Sequence, residues 1–332
     1  MTRKLSLLFA AALGLVAGVA SADQSLLNVS YDVARDFYKD YNPKFAAAWK
    51  AKTGESLELK QSHAGSTKQV RAVADGLEAD VVTMNQATDI QFLADKGLVA
   101  ADWRKKFPNE AAPFSSTMVF IVRKGNPKQL RDWPDLAKSG IQVILPHPKN
   151  TGNGRYSYLA AWGWALRQPG ATEASAKGFV SAVLRNAPLF ASGGRDATTT
   201  FMQRRIGDVL LTFESEAELI AREFGRGEFE VVYPSQTLET DFPVAVVDKV
   251  VDKRGTRKQA QAYLEYLWSK EGQEVAAQNY IRPRDPEVLK KYAGQFPKVK
   301  TFTVEEAFGG WDKAFPAHFK DGGSFDQIYT VK

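Results

Sequence analysis

Pro148-Lys149-Asn150-Thr151-Gly152-Asn153-Gly154-Arg155-Tyr156 stands between a short apolar run, Val143-Ile144-Leu145, and a long helical pattern that begins near Tyr156. The glycines therefore occupy a strand-to-helix turn. A helix start carries unpaired backbone N–H groups and the positive end of the helix dipole, which together suit an anion. Glycine lets a ligand approach the backbone, and Thr151 adds a hydroxyl donor. The spacing is neither that of a phosphate loop, with its Lys-Ser/Thr ending, nor that of a dinucleotide fingerprint, so a nucleotide is not expected here.

Outward from this stretch the arrangement recurs. Leu26-Leu-Asn-Val-Ser-Tyr31 reads as a buried strand ending at Asp32. The helix after it spaces Phe37, Tyr41, Phe45 and Trp49 by four, and Asp32 suits its N-cap. Leu57 to Ser62 is a second strand leading through Gly65 to a helix that starts near Ser66, and Ala79 to Met84 is a third. Ala191-Ser192-Gly193-Gly194-Arg195 is another glycine turn before a helix, and Gly207 to Phe213 is a strand followed by the acidic first turn of Glu214 and Glu216. Strands alternating with helices predict an α/β protein with mostly parallel sheets.

Two very apolar runs, Ser115 to Arg123 and Phe242 to Val251, bracket a block large enough for a second domain. The chain is read as leaving its first domain along one and returning along the other. The expected division is 1–22 as a leader, 23–117 with 246–332 as domain I, and 118–245 as domain II.

The leader follows from Arg3 and Lys4, an apolar run from Leu5 to Ala20, and the small residues Ala20-Ser21-Ala22, the pattern of a cleaved secretory signal. Without Arg3 and Lys4, the chain's 44 basic residues fall to 42 against 38 acidic ones, a formal +4. Mild positive charge fits an anionic ligand, although a solvated basic surface has the same sign. Cysteine is absent, which excludes disulfides and thiol chemistry.

Ser62, His63 and Ser66 lie close in sequence, but no nucleophile elbow accompanies them. Glu214 and Glu216 lack partners at metal-ligand spacing, and complementation of the helix dipole is the expectation for them. Neither a metal nor a cofactor is expected, nor nucleic acid as a partner. The turns at Asp32, Ser66, Thr151 to Asn153 and Gly194 instead suggest two jaws closing on a small dianion held by backbone donors. A site of donors alone rejects an anion that keeps a proton, since an unmet buried acceptor costs about 1–3 kcal/mol.

The runs Leu26 to Asp32, Gln61 to Ser66, Val122 to Lys128, Pro148 to Tyr156, Tyr158 to Gly163, Gly207 to Leu210 and Phe308 to Trp311 together resemble the periplasmic sulfate- and thiosulfate-binding proteins that feed ABC importers. The resemblance covers essentially the whole mature chain. It implies a two-domain periplasmic-binding-protein fold of type II with crossover strands, no enzymatic activity, and a monomer in the periplasm that hands its ligand to a membrane permease. It further implies N–H donors at Asp32, Ser66, Gly152, Asn153 and Gly194, the Thr151 hydroxyl as a side-chain donor, and Arg195 behind them. Where sulfate binders place a tryptophan whose indole N–H reaches the ligand, this chain has Phe213. A phenyl edge accommodates a softer terminal sulfur, so thiosulfate is expected ahead of sulfate. An exported serine hydrolase or sulfatase-like enzyme, or the same fold binding molybdate or phosphate, remain the competing readings.

Overall fold

The structure, a computed structural model, describes residues 24–225 and 227–329; the expected leader lies outside them. Its strands in chain order are β1 (Gln24–Tyr31), β2 (Leu57–Ala64), β3 (Val81–Thr83), β4 (Phe114–Arg123), β5 (Val143–Pro146), β6 (Phe190–Ala191), β7 (Val209–Phe213), β8 (Phe229–Val232), β9 (Thr237–Asp241), β10 (Val244–Val246), β11 (Arg282–Pro283) and β12 (Thr301–Phe302). They form two sheets with helices around them, an α/β architecture. Among the described residues no helix is long and apolar enough to cross a membrane.

The smaller sheet has the order β10-β3-β1-β2. Here β1 lies parallel to β2 and β3, with Asn28 opposite both Gln61 and Val81. The last four residues of β1 are all buried, as expected of a parallel strand covered on both faces. One cover is the helix Arg35–Thr53, whose Phe37, Tyr41, Phe45 and Trp49 form a single buried stripe. Tyr263 packs edge-on against Tyr41 and Phe45, with ring centres 5.2 and 5.1 Å apart. Beneath the sheet, the buried carboxylate of Asp80 accepts from the Leu27 N–H at 2.7 Å and is held by Arg254 and the Thr256 hydroxyl.

The larger sheet follows the order β12-β9-β4-β7-β5-β6, with β8 and β11 also on β4. Its axis is β4, ten residues of which the first nine are buried. It pairs antiparallel with β9 at one end, Ser115 opposite Asp241, and with β7 further along, Met118 opposite Phe213. The strands β5, β6 and β7 run parallel to one another. The chain passes between the sheets along β4 and comes back through β9 and β10.

Two segments differ from the sequence reading. The apolar run Phe242 to Val251 is half strand and half helix. Asp248 opens the helix Asp248–Arg254, which buries Val251 and ends at Gly255 in the left-handed region. Residues 301–329, expected with domain I, lie against the larger sheet. There β12 pairs with β9, Tyr329 packs on Phe190 at 4.7 Å, and Lys149 bridges Asp321 and Asp326, each at 2.8 Å. Aromatic rings of the tail pack there, Tyr329 on Phe190 and Trp311 on Tyr156, and periodicity within the tail does not report such partners.

Candidate functional site

Each turn singled out in the sequence follows the C-terminal end of a parallel strand, the edge where loops of an α/β sheet converge. From the smaller sheet, β1 runs into the single turn Asp32–Ala34 and β2 into the helix Ser66–Ala74. From the larger, β5 runs into Gly152–Leu166, β6 into Gly194–Met202 and β7 into Glu214–Phe224. The structure brings these starts face to face.

Gly194 marks the meeting point. A Cβ there would stand 2.9 Å from Glu216 Oε1, 3.1 Å from Val33 Cγ1 and 3.5 Å from Asn153 Nδ2, so three elements crowd one glycine. Gly152 is as tightly met from the smaller sheet's side. A Cβ on it would lie 2.7 Å from Cγ of Asn85, whose buried Oδ1 has no hydrogen-bond partner. The loop before Gly194 also touches the Ser66 helix, since a Cβ on Gly65 would meet the Ser192 carbonyl at 3.5 Å.

Helical geometry leaves the N–H groups of Ser66, Gly152, Asn153 and Gly194 without an acceptor inside their own helices. In the two larger-sheet helices a following donor is occupied. Gly154 N–H goes to Thr151 Oγ1 at 3.0 Å, and Arg195 N–H to Asp32 Oδ2 at 3.2 Å.

Four sequence expectations change here. Asp32 does not cap the helix after β1; its carboxylate accepts from Val33 N–H at 3.1 Å and reaches across to cap the Gly194 helix. The Thr151 hydroxyl donates to the His147 carbonyl at 3.0 Å while accepting from Gly154, so its one proton serves the turn rather than the cleft. The Arg195 side chain is 44% exposed and pairs with Glu223 at 2.9 Å, so only its backbone meets the cluster. Glu214 is no simple dipole partner: it is buried in a two-pronged ion pair with Arg282, at 2.6 and 2.8 Å, and accepts from Tyr233 at 2.8 Å.

Phe213 is fully buried between Tyr156 and Phe242, at ring distances of 5.9 and 5.4 Å. Ser62 exchanges hydrogen bonds with Gln69 and His63 stacks near Tyr38, so the serine and histidine of the sequence assemble no triad.

Two buried features escaped the sequence reading. Asp89 and Arg155 form an ion pair at 3.7 Å between the helices that begin at Ala87 and Gly152. Burial raises the Asp89 pKa, opposed by the Arg155 guanidinium and by Gln86, Ser66 and Thr67. Glu216 is 2% exposed and accepts from Asn153 Nδ2 at 3.2 Å. Burial first, and then the Asp32 carboxylate, push its pKa up to about 8. The signal that could have found Asn85 and Asp89 is their place just after β3, at the same strand edge as the other turns. Glu216 was legible as an acidic residue in the first turn of its helix, but its burial beside Gly194 and Asn153 was not.

Among the described residues no group of three or more histidines, aspartates or glutamates is placed to hold a metal. A cavity of about 780 Å³ lies beside the cluster, bounded by Thr67, Asp89, His147, Arg155 and Phe315. The helix starts themselves are closed over.

Residues 32–282 match the family model described as bacterial extracellular solute-binding protein. Over 324 residues, 97% of each chain, the sequence is 62% identical to the thiosulfate-binding protein of Pseudomonas aeruginosa. It is 52% identical over 310 residues to the sulfate-binding protein of Escherichia coli K12, covering 93% of this chain and 94% of that one. The sulfate-binding protein SubI of Mycobacterium tuberculosis superposes with a TM-score of 0.81 at 32% identity, over 90% of this chain and all of the other. These relatives are solute-binding proteins, not enzymes.

Proposed function

Because the chain belongs to the bacterial extracellular solute-binding proteins, and among them to the sulfate- and thiosulfate-binding group, we propose that it captures a proton-free oxyanion in the periplasm for an ABC importer. The observation that carries this is the meeting of helix starts from both sheets around Gly194 and Gly152. Backbone N–H groups of Asp32, Ser66, Gly152, Asn153 and Gly194 hold the dianion. Their dipoles are fixed by the fold and need not reorganise, so no lysine or arginine has to touch the ligand.

The two oxygens of Asp32 are already engaged by Val33 and Arg195. A protonated anion such as hydrogen phosphate would have to turn its proton towards these N–H donors or compete for an oxygen already in use, and phosphate is disfavoured. Phe213 offers no N–H and presents a ring edge, which favours thiosulfate with its terminal sulfur over sulfate while admitting both. Jaws built on 23–117 and on 118–245 close about β4, β9 and β10. The stretch 301–329 moves with the larger sheet, to which it is bonded, and the closed form is presented to the permease.

The test is titration of the purified mature protein with thiosulfate, sulfate, molybdate and phosphate, followed by tryptophan fluorescence and calorimetry. Saturable binding of thiosulfate and sulfate, with phosphate silent, is the expected result. Phosphate or molybdate binding more tightly than either would overturn the reading.

A further inference from the structure

We propose that Glu216 is part of the anion site in its protonated form, so that the cleft holds a dianion only while this carboxyl keeps its proton. The inference rests on the anion site described above and deepens it.

Glu216 Oε1 stands against Gly194, whose N–H is one of the proposed donors, and Oε2 receives Asn153 Nδ2, from a residue that supplies another. Any anion held by those two N–H groups is therefore a close neighbour of the Glu216 carboxyl. The charged and titratable groups around Glu216 come from three directions. Asp32 and Tyr31 face it from the end of β1, Arg195 from the Gly194 helix, and the Gly152 helix contributes only the neutral Asn153. Arg195 is drawn outward by Glu223 at 2.9 Å, and no ion pair to Glu216 occurs among the described residues.

Two carboxyls thus share a buried space and are unequally served. Asp32 receives two backbone N–H groups, from Val33 and Arg195, whereas Glu216 receives one side-chain amide. A carboxylate is stabilised by such donors and destabilised by a like charge nearby, so the shared space assigns the charge to Asp32 and the proton to Glu216. A dianion arriving beside Gly194 sharpens that assignment. With Glu216 ionised it would meet a second buried carboxylate without donors to match; with Glu216 protonated it meets a neutral group and one further O–H. Where Glu216 has ionised in the empty cleft, filling the cleft takes one proton from solvent.

The sign of the pH dependence follows. Below the Glu216 pKa the proton is already in place and affinity is flat. Above it each pH unit lowers the protonated fraction of the empty cleft tenfold, and the dissociation constant rises towards tenfold per unit.

The experiment is calorimetric titration of the full mature protein with thiosulfate and sulfate from pH 6 to 10, in pairs of buffers with different ionisation enthalpies, on the wild type and on Glu216→Gln. Wild type should show constant affinity below the Glu216 pKa of the anion-free protein, a loss approaching tenfold per unit above it, and uptake of close to one proton at pH 9. Glu216→Gln should lose both the slope and the uptake. Flat wild-type affinity with no proton uptake, or the same slope in Glu216→Gln, overturns the proposal. The wild-type proton count stands even where the variant does not fold. Failure of either anion to bind at pH 7 overturns the anion site itself, and this inference with it.

Discussion

Replacing Gly152 by alanine adds one methyl group at the point where the two sides of the cleft meet. That carbon would lie 2.7 Å from Asn85 Cγ and 3.0 Å from Asn85 Nδ2, where ordinary contact begins near 3.4 Å. Gly152 has an ordinary helical conformation, so alanine brings no backbone strain and the whole effect is steric. Asn85 is itself buried at 3% exposure and has little room to retreat. Overpacking of this size costs about 1–3 kcal/mol in a closed interior. With the closure proposed above, this crowding arises as the Gly152 helix and Asn85 come together, and an open cleft would escape it. The cost therefore falls on closure, and affinity should drop by roughly 5- to 150-fold, at about tenfold per 1.4 kcal/mol. The melting temperature of the anion-free protein should stay within a degree or two. Calorimetry gives the dissociation constant, and melting curves with and without thiosulfate separate closure from folding. Unchanged affinity in Gly152→Ala would refute the claim that this contact closes on the ligand.

Phe213→Trp places an indole where Tyr156 and Phe242 enclose the ring. It should lower stability by about 1–3 kcal/mol through overpacking, and its N–H should shift the sulfate-to-thiosulfate affinity ratio towards sulfate roughly ten- to a hundredfold; an unchanged ratio by calorimetry denies the ring its part in selectivity. Arg254→Ala leaves the buried Asp80 with only the Leu27 N–H and the Thr256 hydroxyl. A loss of about 3 kcal/mol in urea unfolding is expected, with anion affinity at 25 °C unaltered because Asp80 precedes β3, at the opposite strand edge from the helix starts.

His318 is buried among Trp162, Tyr158 and Phe319, and that burial pushes its pKa down to about 4. The unfolded chain takes up this proton first, so stability falls as pH drops from about 6.5 to 4. Urea unfolding at pH 7 and pH 4.5 should find His318→Gln less acid-sensitive than wild type, and equal sensitivity would exclude the histidine as a source.

Much of this was legible in the chain because it is local. A buried strand that ends in glycine before a helix announces a helix start, and its exposed N–H groups follow from geometry wherever the segment goes. The turns at Ser66, Gly152 and Gly194 could be read in this way, as could the aromatic stripe of Phe37, Tyr41, Phe45 and Trp49. β9 was not legible. Thr237-Leu-Glu-Thr-Asp241 looks like a polar connector, and is a strand because β4 supplies its pairing and β12 covers its other edge.

The sequence by itself determined an α/β chain with several helix starts that present backbone donors, together with the resemblance that names their use. Only the tertiary structure decided what those starts face. Asp32 caps a helix more than 160 residues away, Asn85 closes on Gly152, and Glu216 is sealed beside Gly194. The charge borne by a carboxyl depends on which donors and which like charges surround it, and those neighbours are set by the packing of two sheets rather than by adjacency along the chain.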